Sequence, residues 1–177
     1  MRIIAGSLGG RQFDSPGGHR THPMSDRMRG GLFNALGDID HLTVLDAFAG
    51  SGALGFEAIS RGVASVLAIE VDKKAHQVIV NNIDSLALGK DIKAVKAFVN
   101  AWSTRHQDDK FDLVLADPPY DKLPFRDLKV LSKHLKDDGT LVLSWPGKTD
   151  PYYIPGLKEV KIKDYGDSQL VFYQKTE

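Results

Sequence analysis

The stretch Leu42-Thr-Val-Leu-Asp-Ala-Phe-Ala-Gly-Ser-Gly-Ala-Leu-Gly55 decides the architecture. Its apolar run, Val44 and Leu45, reads as a short buried strand and ends in an acid, Asp46. Gly50, Ser51 and Gly52 then make a turn, and Ala53, Leu54, Phe56, Ala58 and Ile59 follow at helical spacing. Strand, glycine turn and helix form the opening unit of an open α/β sheet. Ligands in such sheets bind beyond the carboxyl ends of the strands. Glycine is needed there because a side chain would keep a ligand away from the backbone. Gly50, Gly52 and Gly55 also satisfy the spacing G-x-G-x-x-G, and Glu70 ends the next apolar run.

That spacing admits two kinds of ligand, and charge bears on the choice. A dinucleotide sets its pyrophosphate on the turn, where Asp46 would repel it unless the carboxylate pointed away. A ligand with an ammonium and a sulfonium centre is instead attracted to a carboxylate at that place. S-adenosylmethionine is such a ligand, and Glu70 can accept hydrogen bonds from its ribose hydroxyls. The turn by itself leaves both open.

A second motif lies on the same rim. Phe111 to Ala116 is an apolar strand, and Asp117-Pro-Pro-Tyr120 follows at once. Two adjacent prolines have no backbone donors and hold the chain extended. The Asp117 carboxylate and the proline carbonyls then form a row of acceptors, with the flat ring of Tyr120 beside them. Acceptors and a ring together suit a planar group carrying an amine, such as the exocyclic amine of a nucleobase.

Length and composition set the bounds. The 177 residues make one domain with a substantial core. There is no cysteine, so no disulfide, thiolate nucleophile or cysteine-held zinc is available. The six histidines are scattered without ligand spacing, and no metal is expected. No apolar run approaches the ~20 residues of a membrane span, and the start is too short in its apolar part for a signal peptide, so a cytoplasmic monomer is expected. Net charge is zero, but residues 1–29 hold five arginines against two aspartates. Arg20, Arg27 and Arg29 lie in or beside the glycine-rich loop Ser15 to Pro23, and arginine suits bidentate phosphate contacts.

The remaining chain alternates strand and helix. Arg2 to Ala5 and Gln12-Phe13 read as a hairpin, and Ser25 or Asp26 caps a helix to about Leu36. Gly30-Gly31 inside that helix costs about 1 kcal/mol per glycine, so packing or a close partner must compensate. Ala64 to Ile69 is a strand, and Asp72 caps a helix that Gly89 stops. Ile92 to Phe98 is a third strand, ending near Asn100-Ala101-Trp102. Phe125, Leu128, Leu131 and Leu135 mark a helix, Thr140 to Ser144 a strand, and Leu157 to Lys163 with Leu170 to Tyr173 a closing hairpin. The order describes a mostly parallel sheet with an antiparallel edge.

The pair Asp46-Ala-Phe-Ala-Gly-Ser-Gly52 and Asp117-Pro-Pro-Tyr120 resembles the amino-methyltransferases that use S-adenosylmethionine. The whole chain is similar to the bacterial RsmD family, which methylates the 2-amino group of a guanine in small-subunit (16S) ribosomal RNA. Arg2-Ile-Ile-Ala-Gly6, Pro23-Met-Ser-Asp-Arg27, Leu32-Phe-Asn34, Tyr165-Gly-Asp167 and Phe172-Tyr173 carry the likeness to both ends. The resemblance implies a Rossmann-like class I methyltransferase fold, α/β, with a seven-stranded sheet and one antiparallel edge strand. It implies a single domain over 1–177, with 1–40 an extension toward RNA and 41–177 the cofactor-binding and catalytic core. Asp46, Phe48, Gly50 and Gly52 match the cofactor loop, Glu70 the ribose acid, and Asn100 the place of an aspartate facing the adenine amine. Asp117, Pro118 and Tyr120 match the target-amine site, and Arg20, Arg27 and Arg29 are expected to hold RNA phosphates. The implied partner is ribosomal RNA or the assembling small subunit.

Three departures from the family pattern stand out. His22 replaces arginine, Gly30-Gly31 replaces Glu-Ala, and Ser144-Trp145 follows the fifth strand where glutamate is common. Two other functions share these motifs. One is an amino-methyltransferase for adenine or cytosine in DNA or another RNA. The other is a ribosome-assembly factor that keeps the fold without catalysis.

Overall fold

The computed structural model describes residues 1–17 and 23–176. The chain opens with an arm in which Arg2 and Gln12 form an antiparallel bridge. The expected hairpin is thus present, reduced to one bridge and flanked by amide bonds from Ile3 to Arg11 and from Phe13 to Met1. Helix α1 (Asp26–Leu36) begins at Ser25, whose side chain accepts from the Met28 amide, and it buries Met28, Leu32 and Phe33. Then follow β1 (Thr43–Asp46), α2 (Ala53–Ser60), β2 (Ser65–Glu70), α3 (Lys73–Ser85), β3 (Ile92–Lys96), α4 (Val99–Arg105) and β4 (Phe111–Ala116). The chain closes with α5 (Phe125–Val130), a 3-10 turn (Leu131–His134), β5 (Leu135–Pro146), β6 (Leu157–Asp164) and β7 (Ser168–Lys175).

All seven strands form one sheet in the order β3-β2-β1-β4-β5-β7-β6. The pairs from β3 through β5 are parallel. The closing hairpin supplies the antiparallel edge, with β7 lying between β5 and β6 and running against both. From β1 the chain steps outward to β2 and β3, then crosses to β4 on the other side. The ends of β1 and β4 therefore flank the point where strand order reverses, the place where such sheets take ligands.

Alternation along the buried strands divides the core into two layers. Val44, Leu113, Leu115 and Val142 face α1, α2, α3 and the arm. Leu45, Val114, Leu141 and Leu143 face Trp102 of α4, Leu128 of α5 and Leu131. Gly31 is explained by packing: a Cβ there would lie 2.0 Å from the Tyr165 hydroxyl oxygen. Gly30 has no neighbour nearer than 3.9 Å to such an atom, so close approach accounts for one glycine of the pair.

A buried carboxylate holds the arm on the core. Glu57 of α2 is wholly inaccessible. It accepts from the Ile4 amide at 2.7 Å, the Ala5 amide at 3.1 Å and the Arg61 Nε at 2.8 Å. Ser60 continues the clamp, accepting from the Leu8 amide at 2.9 Å and donating to the Ala5 carbonyl.

The structure departs from the sequence expectations in three places. Asn100-Ala101-Trp102 lies in the short helix α4 rather than at a strand end, with Phe98 as its cap. Leu135 opens β5, because α5 tightens into the 3-10 turn before reaching it. Helix α3 stops at Ser85, and the chain reverses through Ala87 at φ 58°, ahead of Gly89.

Candidate active site

Three acids gather at the carboxyl ends of neighbouring strands: Asp46 on β1, Glu70 on β2 and Asp117 after β4. The glycine turn after β1 is bonded to Glu70. The Gly50 amide donates to Glu70 Oε2 at 2.8 Å, and the Asp72 amide to Glu70 Oε1 at 2.7 Å. The Gly52 amide closes the turn on the Ala49 carbonyl at 2.7 Å. Gly52 has φ 82°, and a Cβ there would meet the Phe56 ring at 2.7 Å, so both conformation and contact demand glycine. Gly50, at φ 55°, needs the left-handed region too, and Phe48 lies half-buried between them and β1.

The electrostatics single out Asp46. Its side chain is wholly buried, and neither oxygen has a hydrogen-bond partner among the described residues. Desolvation pushes its pKa up to about 7, helped by the nearby charge of Asp117 and then of Glu70. The Gly55 amide, outside hydrogen-bonding geometry, offsets only part of this. Burial also raises Glu70, against the amides of Asp72, Gly50 and Val71. Desolvation raises Asp117 to about 6, and the Ser144 hydroxyl pulls it back down. Three acids with upward shifts and, among the described residues, no neutralising cation describe a place that lacks positive charge. The residues present therefore fit a cationic ligand such as S-adenosylmethionine, and an orphaned Asp46 beside a pyrophosphate would fit badly.

The target motif leaves the same rim. Pro118 is buried, while Tyr120 is 37% exposed with its hydroxyl 2.5 Å from Ser144 Oγ. Burial raises the pKa of this hydroxyl, and the neighbouring Ser144 of β5 and Ser168 of β7 pull it back. Sequence reading assigned neither serine to the site. The available signal was Ser144 itself, a polar residue ending an apolar run on the ligand-bearing rim. Asn100 stands at the start of α4, its amide donating to Asp127 Oδ1 at 2.7 Å. Its side chain makes no hydrogen bond among the described residues, leaving its oxygen free to accept.

The three arginines expected to meet RNA separate in the structure. Arg20 lies outside the described residues, as does His22. Arg27 is exposed in the first turn of α1. Arg29 is a correction: it is 1% exposed and cannot reach a phosphate. Its guanidinium bonds the Arg2 carbonyl at 2.8 Å and Asp26 Oδ1 at 2.9 Å, with Glu57 at 3.9 Å. Helical spacing puts it on the inner face beside Met28, Leu32 and Phe33, so it fastens the arm instead.

Among the described residues no group of three or more histidines, aspartates and glutamates is placed to hold a metal ion. No helix among them is long and apolar enough to cross a membrane. A depression at the amino ends of β1, β4 and β5, lined by Asp112, Lys136 and Asp137, touches none of the motif residues.

The family model described as Conserved hypothetical protein 95 matches residues 1–174. The chain belongs to that family. It is the RsmD family that the two motifs and the terminal segments resemble. The Bacillus subtilis (strain 168) protein "Putative rRNA methyltransferase YlbH" is 30% identical over 182 residues, spanning 99% of each chain. The Escherichia coli (strain K12) protein "Ribosomal RNA small subunit methyltransferase D" is 38% identical over 122 residues, or 68% of this chain and 60% of that protein. Among solved structures, "Putative methyltransferase yhhF" from Escherichia coli superposes with a TM-score of 0.85 at 30% identity, covering 99% of this chain and 97% of that one. The seven-stranded sheet is thus the Rossmann-like class I methyltransferase fold.

Proposed function

We propose that this family member transfers a methyl group from S-adenosylmethionine to the exocyclic 2-amino group of a guanine in small-subunit ribosomal RNA. The observation that carries the proposal is Asp46, a buried carboxylate without a partner, set between Glu70 and Asp117. The names of the relatives from Bacillus and Escherichia support ribosomal RNA as the substrate class. The terminal segments shared with the family support the guanine amine.

When bound, the cofactor supplies a methyl group carried on a sulfonium. Asp46 offers the charge that attracts the cationic end, Glu70 accepts from the ribose hydroxyls, and the Asn100 oxygen accepts from the adenine amine. Gly50 and Gly52 let the backbone approach, and Phe48 walls the loop. An aryl amine is a poor nucleophile, so the chain must position it at near-attack distance. Asp117 and the Pro118 carbonyl accept its hydrogens as the nitrogen becomes tetrahedral and positive. The Tyr120 ring stacks on the flipped-out base. The proton leaves to solvent afterwards, so Asp117 acts as an electrostatic acceptor rather than a full base.

The test is transfer of label from S-adenosylmethionine to ribosomal RNA, to small subunits from a strain lacking the protein, and to duplex DNA. Mass mapping then locates the modified nucleotide. Label on a guanine 2-amino group is the expected result. Label on adenine or cytosine would replace this reading by another amino-methyltransferase. No turnover from folded protein that still binds RNA would point to an assembly factor.

A further inference from the structure

Asp127 is a buried acid with no part in the proposed chemistry. It is 9% exposed and lies in the first turn of α5, the helix that follows the Asp117-Pro-Pro-Tyr120 segment. Its amide donates to the Pro124 carbonyl at 2.9 Å, closing the turn that leaves that segment. Its Oδ1 accepts from the Asn100 amide of the neighbouring helix α4 at 2.7 Å.

Helix α4 needs this bond. The first amides of a helix have no partner within it, and a Ser, Thr, Asp or Asn at the cap commonly meets them. Helix α4 begins instead at Phe98, whose side chain cannot accept, and its first turn holds no acid. The missing acceptor therefore comes from another helix, and the acid faces the positive amino ends of both. The bond also fixes Asn100. The Ala97 amide donates to the Glu70 carbonyl at 3.1 Å, which pins the chain leaving β3 beside the ribose acid. The Asn100 amide is then pinned to Asp127, so the Asn100 side chain springs from backbone held on both sides.

We propose that Asp127 is a positioning residue for the cofactor: by holding the first turn of α4 it sets the Asn100 side-chain oxygen against the adenine amine. This rests on the reading of Asn100 as the acceptor for that amine. A residue needed only as a cap could precede the helix directly, as Ser25 does for α1 and Asp72 for α3. Supplying the acceptor from α5 makes the placement of Asn100 depend on the chain that follows the target motif. The adenine end of the site and the target-amine end are thereby set in one frame.

The test compares, by calorimetry on the whole protein, the affinity for S-adenosylhomocysteine with that for its analogue lacking the adenine 6-amine. The unmutated protein should prefer the ligand with the amine. Asn100→Ala should lower that preference about 3–10-fold, the worth of one hydrogen bond between neutral groups. Asp127→Ala should lower it over the same range, and Asp127→Asn, which keeps an acceptor oxygen, should restore most of it. The double variant should lose no more preference than Asn100→Ala alone, because both act through one bond. A cap that only supports the fold would weaken both ligands alike and leave the preference untouched. If Asp127→Ala does not fold, Asp127→Ser, whose hydroxyl falls a bond short of the amide, must lower the preference in its place. An unchanged preference in folded Asp127→Ala or Asp127→Ser, while Asn100→Ala lowers it, overturns the proposal and leaves the reading of Asn100 standing. An unchanged preference in Asn100→Ala overturns that reading and the proposal with it. Failure of the unmutated protein to bind either ligand overturns the functional reading as a whole.

Discussion

Glu57 and Asp46 are both acids with no exposed surface, yet their environments are opposite. Glu57 receives two backbone amides and the Arg61 guanidinium, with Arg29 close by. Asp46 receives no hydrogen bond from the described residues. A buried charge is costly unless paired, so a fully paired one secures structure and an unpaired one is kept for another purpose. The difference separates the arm-docking region from the ligand rim without reference to any relative. It also places the arginine-rich start of the chain partly on the structural side, through Arg29.

The largest effect expected from this contrast lies at Glu57. Glu57→Ala strands Arg29 and Arg61 and releases the Ile4 and Ala5 amides, which should lower stability by about 3–5 kcal/mol in denaturant unfolding. A loss below 1 kcal/mol would mean the arm is held by its apolar contacts alone. Next is Glu70→Ala, expected to weaken S-adenosylmethionine binding by ~1.5–3 kcal/mol in calorimetry, the range for hydrogen bonds to a charged group. If Glu70→Ala lowered stability while leaving affinity intact, Glu70 would belong with Glu57.

Asp46→Asn sharpens the comparison from the other side. An acid whose folded pKa is raised holds its proton longer in the folded state, so stability falls as pH rises from the unfolded value of 3.8 to about 7 and is level above. The asparagine protein should lose that slope and, at pH 8, be more stable without cofactor by ~1–3 kcal/mol. It should also bind S-adenosylmethionine more weakly. Destabilisation at pH 8 would show that Asp46 is structural after all.

A smaller effect belongs to the second acid of the rim. Asp117→Ala should cut turnover ~10-fold or more, worth about 1.4 kcal/mol at the lower bound, without changing cofactor affinity. Asp117→Asn, which keeps an acceptor oxygen, should retain more activity. Equal inactivity of the two would make the charge itself essential. The smallest effect is that of Arg27→Gln, which should flatten the salt dependence of RNA binding by ~0.7–0.9 log units if it contacts one phosphate. An unchanged slope would leave Arg20 as the remaining candidate of the three.

Local patterns in the sequence led to the right elements around the rim. The run into Asp46, the glycine turn and helix α2 are contiguous, and so are β4 and Asp117-Pro-Pro-Tyr120, so short-range periodicity sufficed. Ser25 as cap of α1 and Asp72 as cap of α3 were equally readable. Helix α4 was not, because Val99–Arg105 is short and its apolar residues make no repeating stripe. Neither Glu57 nor the inward role of Arg29, which the sequence assigns to RNA phosphates, is legible, since their partners in the arm lie far away in sequence. The orphaned state of Asp46 could not be read either, because it depends on what the surrounding elements fail to provide. Ser144 drew notice only as a departure, and its bond to Tyr120 closes across two strands.

Strand β7 follows β6 in the chain yet lies inside the sheet, between β5 and β6. As the chain emerges from the ribosome, β6 can find no place beside β5 until its successor slides between them. A nascent protein halted before β7 thus carries an open strand edge on β5, the kind of template that invites pairing with another chain. The same insertion brings Tyr165, in the turn before β7, against Gly31. Locking of the first helix therefore waits for β7 to insert, and a chain that already has its glycine turn in place is still not a finished fold.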